Sequence, residues 1–240
     1  MSDTKTRPLI YDLGMNNGDD TEYYLRRGFR VLAIEANPGL CEAARQRFQT
    51  QIEAGDLTIL HAAIWQHSGE TVFFVNVDND HWSSIDINWA GRDDSRCQEI
   101  TVRCVTLLEL FETYGVPHTL KIDVEGVDLV VLQQLASAEA VPAFLSVEDC
   151  RFGFDYLRIL AEVGYTNFKL LDQSKVPDMR DDRLGHQFRP GSSGPLGEDI
   201  PGGWMDYDTM VELYATTVRD RQGTRIAPRT QWFDIHARKI

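Results

Sequence analysis

Short apolar runs alternate with amphipathic segments along most of the chain. Continuous apolar runs are typical of strands buried on both faces of a parallel sheet, and apolar residues three and four apart are typical of helices. The runs predict strands at residues 9–13, 29–34, 57–65, 120–123, 143–150, 165–171 and 230–238. The periodic segments predict helices at 21–27, 40–53, 107–115, 127–136, 154–163 and 208–219. This alternation predicts an α/β fold.

Two stretches interrupt the alternation. Residues 70–77 and 99–105 have the period-two pattern of strands, and they flank the polar stretch 78–84. We expect an inserted β-hairpin or strand pair. Its loop either borders a ligand, or its Trp82 simply packs at the rim of the fold. Residues 172–204 are polar and rich in Gly and Pro, which indicates a lid, a binding loop or disorder. Aromatic residues and His186 in this segment favour the lid.

The composition restricts the classes of function. At 240 residues the chain is long enough for one α/β domain, which we expect to span residues 1–240. A net charge of −13 and a pI near 4.8 disfavour nucleic acid and anionic membranes as partners. No apolar run reaches the roughly 18 residues of a membrane span, and residues 1–7 lack the apolar core of a signal peptide, so we expect a soluble, cytoplasmic protein. Four scattered cysteines indicate neither a disulfide framework nor a zinc site.

The first strand and the turn after it carry a chemical signal. Gly14 and Gly18 follow the strand 9–13 and precede a helix. Glycines there let the backbone approach a ligand, and the first amides of the helix point at it. A dinucleotide-binding turn would need a glycine where Asn16 stands, to make room for a pyrophosphate. Asp12 and Asn16 better suit a ligand with an ammonium and a carboxylate, such as S-adenosylmethionine (SAM).

The second and third strands end in residues that suit a nucleoside. Glu35 lies about 20 residues after the turn, where a nucleoside-binding α/β fold places a carboxylate that accepts hydrogen bonds from both ribose hydroxyls. A solvated glutamate before the helix at Pro38 is the alternative. Ala62 and Ala63 are small enough to let an adenine ring lie against the sheet edge.

Acidic residues end the next two strands. Asp123 and Glu125 stand at the carboxyl end of the fourth strand, two residues apart, so both side chains project on the same side if the strand stays extended. Glu148 and Asp149 stand at the end of the fifth strand. The carboxyl ends of parallel strands meet at one edge of the sheet, so we expect these carboxylates beside the cofactor. Two uses remain open: the cluster holds a divalent metal through oxygen ligands, or single members act as a general base.

Three motifs resemble those of the FkbM-type SAM-dependent methyltransferases. They are Asp-Leu-Gly-Met-Asn-Asn-Gly at 12–18, Ala-Ile-Glu-Ala-Asn-Pro at 33–38 and Leu-Lys-Ile-Asp-Val-Glu-Gly at 120–126. The resemblance implies a Rossmann-like class I methyltransferase fold: a seven-stranded, mostly parallel sheet with the last strand antiparallel, plus a β insertion and a lid at 172–204. It also implies SAM as the cofactor and O-methylation of a hydroxyl on a small-molecule, sugar or natural-product acceptor.

The motifs and the resemblance together assign candidate site residues. We expect cofactor contacts from Asp12, Gly14, Asn16, Gly18, Thr21, Glu35, Ala36, Ala62, Ala63 and Asp123. Candidates for the catalytic base are Asp123, Glu148 and His186, and candidates for metal ligands are Asp123, Glu125, Glu148 and Asp149.

Two other classes of protein stay open. An NAD(P)-dependent oxidoreductase would use the same fold and the same Glu35, but it requires a glycine at Asn16 and a Tyr/Lys or His/Asp relay that the sequence does not show. A non-catalytic nucleoside-binding or scaffold protein would need neither the converging acids nor a lid. The sequence leaves the acceptor, the metal and the oligomeric state open, a homo-oligomer included.

Overall fold

The computed structural model describes residues 7–239. The predicted domain also includes residues 1–6 and Ile240, which lie outside the described residues. The strands are β1 (Leu9–Leu13), β2 (Arg30–Glu35), β3 (Leu57–His61), β4 (Ala63–Ile64), β5 (Gly69–Asn76), β6 (Cys97–Val105), β7 (Thr119–Ile122), β8 (Phe144–Glu148), β9 (Asn167–Asp172), β10 (Arg180–Asp181), β11 (His186–Gln187) and β12 (Phe233–Arg238). The helices are α1 (Asp19–Arg26), α2 (Pro38–Arg47), α3 (Gln49–Glu53), α4 (Ile87–Ala90), α5 (Leu107–Tyr114), α6 (Asp128–Leu135), α7 (Gly153–Glu162) and α8 (Tyr207–Thr217).

The central sheet has seven strands in the order β3-β2-β1-β7-β8-β12-β9. Strands β3, β2, β1, β7 and β8 pair in parallel with their neighbours, whereas β12 lies antiparallel between β8 and β9. This confirms the predicted fold class, including the antiparallel last strand. The order reverses between β1 and β7, because the chain first builds outward through β2 and β3 and then returns to the other side of β1. Open α/β sheets bind ligands at such a point.

Two predicted elements are each divided. The predicted helix 40–53 is α2 followed by α3, because Phe48 between them leaves helical geometry (φ −110°, ψ 23°) and buries its ring. The predicted strand 57–65 is β3 followed by β4. The chain leaves the central sheet at Ala62 and joins a separate three-stranded sheet, β4-β6-β5, which is the predicted β insertion.

The two faces of the central sheet differ in character. One face packs an apolar core under α5 to α8, with Leu120, Ile122 and Val147 fully buried. The other face carries polar residues in register: Lys121 pairs with Asp12 on β1 and with Ser146 on β8. Side chains alternate along a strand, so β7 presents its leucine and isoleucine to one layer and its lysine to the other.

The segment 172–204 folds onto this polar face together with α1. It consists of short 3-10 turns and the two-stranded β10-β11 pair, and it buries Val176, Phe188 and Ile200 in a cluster with residues of α1. Its role as a lid stays a prediction. No helix within residues 7–239 combines the length and the apolar character needed to cross a membrane.

Candidate functional site

A cavity opens at the carboxyl ends of β1, β2 and β7, where the strand order reverses. Its volume, including the open mouth, is about 580 Å³, and small-molecule sites typically measure roughly 300–1,000 Å³. Seven of the ten predicted cofactor contacts line it, together with the metal-ligand candidate Glu125: Gly14, Asn16, Glu35, Ala36, Ala62, Ala63 and Asp123. The structure therefore brings most of the predicted cofactor contacts to one place.

Gly14 brings the first turn against the end of β7. It adopts a φ of +80°, and a Cβ built on it would lie 1.8 Å from the carbonyl oxygen of Asp123. Such a contact excludes any side chain at this position. The glycine therefore makes room for the neighbouring strand rather than for the ligand alone.

The backbone amides of this turn already have acceptors within the protein. The N–H groups of Gly14 and Met15 both donate to the carbonyl oxygen of Ile34 at 3.0 Å. Asn16 N–H donates to Glu35 at 2.8 Å, and the amides of residues 17, 18 and 19 bond to atoms of the turn itself. The turn therefore uses the amides of residues 14–19 to hold its own shape, while the expectation that the first amides of the following helix point at a ligand stays a prediction.

Glu35 joins the first two turns at the floor of the cavity. One carboxylate oxygen accepts the N–H of Asn16 at 2.8 Å, and the other accepts the N–H of Asn37 at 2.8 Å. Burial raises the pKa of Glu35 above its ordinary value, although these two amides oppose the rise. A carboxylate oxygen has two lone pairs, so each can still accept a second hydrogen bond from a ligand hydroxyl.

Apolar side chains form the wall beyond Glu35. Ala62, Ala63 and Ile64 come from the point where the chain changes sheets, and Phe73 comes from β5. The loop after β5 closes the mouth with Asp80, His81 and Ser83. The predicted loop 78–84 thus borders the cavity, while Trp82 packs beside the guanidinium of Arg92 at 4.4 Å from its ring centroid.

Three predicted cofactor contacts lie behind the turn instead of on the cavity. Asp12 and Thr21 are fully buried, and the hydroxyl of Thr21 donates to Asp12 at 2.6 Å. Gly18 faces α2, because a Cβ there would lie 2.7 Å from the ring of Phe48. These residues support the turn that carries Gly14 and Asn16.

Lys121 is the cation at the centre of this arrangement. Its Nζ donates to the carbonyl oxygen of Gly14 at 2.7 Å and lies 3.2 Å from Asp12, 3.4 Å from Asp123 and 3.9 Å from Asp20. Burial opposes the charged ammonium, but the charges of Asp12, Asp123 and Asp20 outweigh it and raise the pKa of Lys121 well above its ordinary value. Lys121 is therefore a permanent positive charge.

Three carboxylates converge at the carboxyl ends of β7 and β8, and two of them, Asp123 and Glu125, line the cavity. Asp123, Glu125 and Glu148 each place an oxygen within 4.8 Å of the others. Burial and the charge of Asp123 raise the pKa of Glu125 to about 8 and that of Glu148 well above its ordinary value. Asp123 and Glu125 were expected to align on an extended strand, but β7 ends at Ile122 and Glu125 has a φ of +50°.

Trp89 and Arg92 hold Glu125 in that conformation. The indole N–H of Trp89 donates to Glu125 at 2.6 Å, and the guanidinium of Arg92 donates to the same oxygen at 3.2 Å. Gly126 lies under the ring of Trp89, where a Cβ would approach to 2.8 Å. The turn after β7 is fixed further by Asp128, whose carboxylate accepts the amides of residues 124 and 126.

Asp149 and His186 lie apart from this group. Asp149 accepts a hydrogen bond from Tyr214 at 2.7 Å and pairs with Arg219 at 3.1 Å, so it is engaged in a buried ion pair. His186 belongs to β11 and stacks on Tyr23 with ring centroids 5.0 Å apart. Neither residue lines the cavity, so the structure does not bring these two candidates to the other acids.

Four residues of the site were not among those predicted: Lys121, Trp89, Arg92 and Asp234. Lys121 did leave a signal, because a lysine between Leu120 and Ile122 in an apolar strand must be buried with partners. Asp234 is 5% exposed and pairs in register with Glu148, which only the antiparallel placement of β12 reveals.

The chain has matches among protein families and among solved structures. The family model for the methyltransferase FkbM domain matches residues 12–173. A sequence comparison with the curated proteins finds no match. Among solved structures, methyltransferase FkbM from Methylobacillus flagellatus KT aligns with 14% identity and a TM-score of 0.42 over 65% of this chain. The alignment spans only 37% of that protein.

Two further structures align over almost the whole chain. The precorrin-6Y C5,15-methyltransferase from Geobacter metallireducens GS-15 has 9% identity and a TM-score of 0.43, over 98% of this chain and 81% of its own. A SAM-dependent O-methyltransferase from Thermotoga maritima has 12% identity and a TM-score of 0.42, over 99% of this chain and 62% of its own.

Proposed function

The chain belongs to the methyltransferase FkbM family, and from this premise we propose that it transfers the methyl group of SAM to a hydroxyl oxygen of a small-molecule or sugar acceptor. The cofactor would occupy the cavity at the carboxyl ends of β1, β2 and β7. The acceptor would approach from the side of the acidic residues.

One observation carries the proposal: a single cavity combines an apolar wall, a buried glutamate and the carboxylates of Asp123 and Glu125. Adenine would lie against Ala62 and Ala63, and Glu35 would accept hydrogen bonds from the ribose hydroxyls. The methionine end would then extend past Gly14 and Asn16 toward Asp123. Asp12, Gly18 and Thr21 would act from behind the turn.

The transfer itself needs alignment and a proton acceptor. The acceptor oxygen attacks the methyl carbon in line, the carbon–sulfur bond breaks as the oxygen–carbon bond forms, and the sulfonium becomes the neutral thioether of S-adenosylhomocysteine (SAH). The hydroxyl proton passes to a base. We assign that role to Asp123, which lines the cavity, or to Glu148, which belongs to the same cluster of carboxylates; His186 lies apart from both the cavity and the cluster.

Burial and the charge of Asp123 raise the pKa of Glu148 above its ordinary value, which makes its carboxylate a stronger proton acceptor than a solvent-exposed glutamate. A measurement distinguishes the two possible uses of the acids, as a general base or as ligands of a divalent metal. Methyl transfer that survives EDTA and does not respond to added Mg²⁺ would leave the carboxylates as base and hydrogen-bond acceptors only.

Calorimetric titration with SAM, SAH and NAD tests the cofactor. We expect SAM and SAH to bind and NAD not to bind. Binding of NAD alone would overturn the proposal in favour of an oxidoreductase, and binding of none of the three would favour a scaffold protein.

A second experiment tests the acceptor. Methyl-labelled SAM is incubated with a panel of hydroxyl and amine compounds, and the products are identified by mass spectrometry. A methyl group on nitrogen or carbon would refute O-methylation.

Glu35→Gln tests the ribose contact. We expect SAH affinity to fall about ten- to a hundredfold, the size of a lost hydrogen bond to a charged group. Glu99→Gln is the matched control, because Glu99 is exposed on β6 and does not line the cavity. An unchanged affinity in Glu35→Gln would show that Glu35 does not hold the nucleoside.

A further inference from the structure

Lys121 connects two walls of the cavity without lining it. Its side chain is 4% exposed, and its Nζ reaches the carbonyl oxygen of Gly14 at 2.7 Å and the carboxylate of Asp123 at 3.4 Å. Both of these partners do line the cavity. The lysine therefore determines where two ligand-facing groups stand.

The stability of the sheet gives no reason for a lysine at this position. The flanking residues Leu120 and Ile122 are buried and apolar, and a well-packed apolar residue in place of a buried ion pair is often neutral or stabilising. A buried charge also requires partners, and Lys121 has Asp12 at 3.2 Å and Asp20 at 3.9 Å besides Asp123. The reason for the charge must lie in what it holds.

The groups that it holds stand at one end of the cavity. The apolar wall at Ala62 and Ala63 lies beyond Glu35 on the β3 side, and Gly14 and Asp123 lie on the β7 side. If adenine and ribose occupy the first two positions, the amino-acid group of the cofactor meets the third. Asp123 is then a natural partner for its ammonium group.

We propose that Lys121 is a positioning residue for the amino-acid end of SAM: it fixes the Gly14 carbonyl and the Asp123 carboxylate that this end meets. The proposal rests on the proposed function. Asp20 connects Lys121 to the segment 172–204. Its carboxylate lies 3.9 Å from the Nζ of Lys121 and accepts the N–H of Ser193 at 2.9 Å.

A pair of ligands distinguishes positioning from a general structural role. SAH carries the amino-acid group, and 5′-methylthioadenosine carries the same nucleoside without it. In Lys121→Met we expect SAH affinity to fall about tenfold or more, as for a lost charged hydrogen bond, while 5′-methylthioadenosine affinity stays unchanged. Lys169→Met is the matched control, because Lys169 is equally buried on β9 but bonds to Ile200 and does not line the cavity.

Removing the lysine alone leaves Asp12 buried without a cation, which destabilises the fold and favours misfolding of the single variant. The double variant Lys121→Met/Asp12→Asn removes both charges and has the same expected outcome. Equal losses for SAH and 5′-methylthioadenosine, or unchanged SAH binding in a folded variant, would overturn the positioning role. Wild-type protein that binds neither ligand would instead refute the proposed function, and the inference with it.

Discussion

The glycine at the end of β1 allows a quantitative test of how the cavity is built. In Gly14→Ala the new Cβ would lie 1.8 Å from the carbonyl oxygen of Asp123, and the backbone keeps a φ of +80°. The left-handed conformation costs an alanine about 1–2 kcal/mol, and forcing the strand ends apart adds about 1–3 kcal/mol. The sum, about 2–5 kcal/mol, is a large part of a typical unfolding free energy of about 5–15 kcal/mol.

Comparison with Gly28→Ala separates the steric part of this free-energy cost from the conformational part. Gly28 has nearly the same φ, +85°, but a Cβ there meets nothing within 4 Å. It should lose only the conformational part, about 1–2 kcal/mol. Urea denaturation measures the difference in unfolding free energy between the two variants, provided that their m-values are equal. Equal destabilisation of the two variants would refute the close approach of β1 and β7.

Gly14→Ala should also weaken the site, because relief of the contact moves Asp123 away from the turn. SAH titration is the second measurement. We expect Gly14→Ala, in whatever fraction folds, to bind SAH more weakly than Gly28→Ala does. A folded Gly14→Ala with wild-type affinity would show that the spacing of these two strand ends does not control the cavity.

Three further predictions concern charge and placement. Burial raises the pKa of Asp20 to about 7 from 3.8, so the folded protein keeps a proton that the unfolded chain loses, and the unfolding free energy falls as pH rises between these values; Asp20→Asn should flatten that part of the urea-denaturation profile, and an unchanged slope would contradict it. Arg219→Met removes the nearer cation of buried Asp149, leaving only Arg225 at 3.9 Å, and should destabilise the protein by up to about 3–5 kcal/mol, whereas Arg158→Met breaks an exposed pair and should cost less than about 1 kcal/mol; similar losses in thermal or urea unfolding would argue against a buried pair. His186→Gln should leave SAH affinity unchanged in calorimetry, since the ring stacks on Tyr23 outside the cavity, and a loss of binding would return His186 to the site.

The fold was predictable because its signals are local. Most central strands contain an apolar run, β12 alternates apolar and polar residues, and each large helix has its own periodicity. The family resemblance then implied the arrangement of the sheet. The divisions at Phe48 and Ala62 could not be predicted this way. Both arise where tertiary packing overrides a continuous pattern: Phe48 turns into the core, and the chain at Ala62 transfers to a second sheet.

The candidate site was predictable only in part, for the same reason. Glu35 and Ala62 follow strand ends, and strand ends converge, so their meeting was expected. Trp89 could not be placed, because it reaches Glu125 from the short helix α4 inside the insertion. Asp234 meets Glu148 only because β12 runs antiparallel, and no local pattern reports which residues an inserted strand will face.

The position of β12 also has a consequence for the order of events during synthesis. Within the described chain, the edge strand β9 pairs with no strand of the central sheet except β12, which the ribosome makes after the segment 172–204 and α8. Apart from an isolated bridge between Phe168 and Met205, residues 167–172 therefore lack a strand partner until residues 233–238 emerge. Pairing between such distant residues is slow and leaves strand edges open to other chains. The nascent protein is thus most vulnerable to aggregation just before its sheet closes.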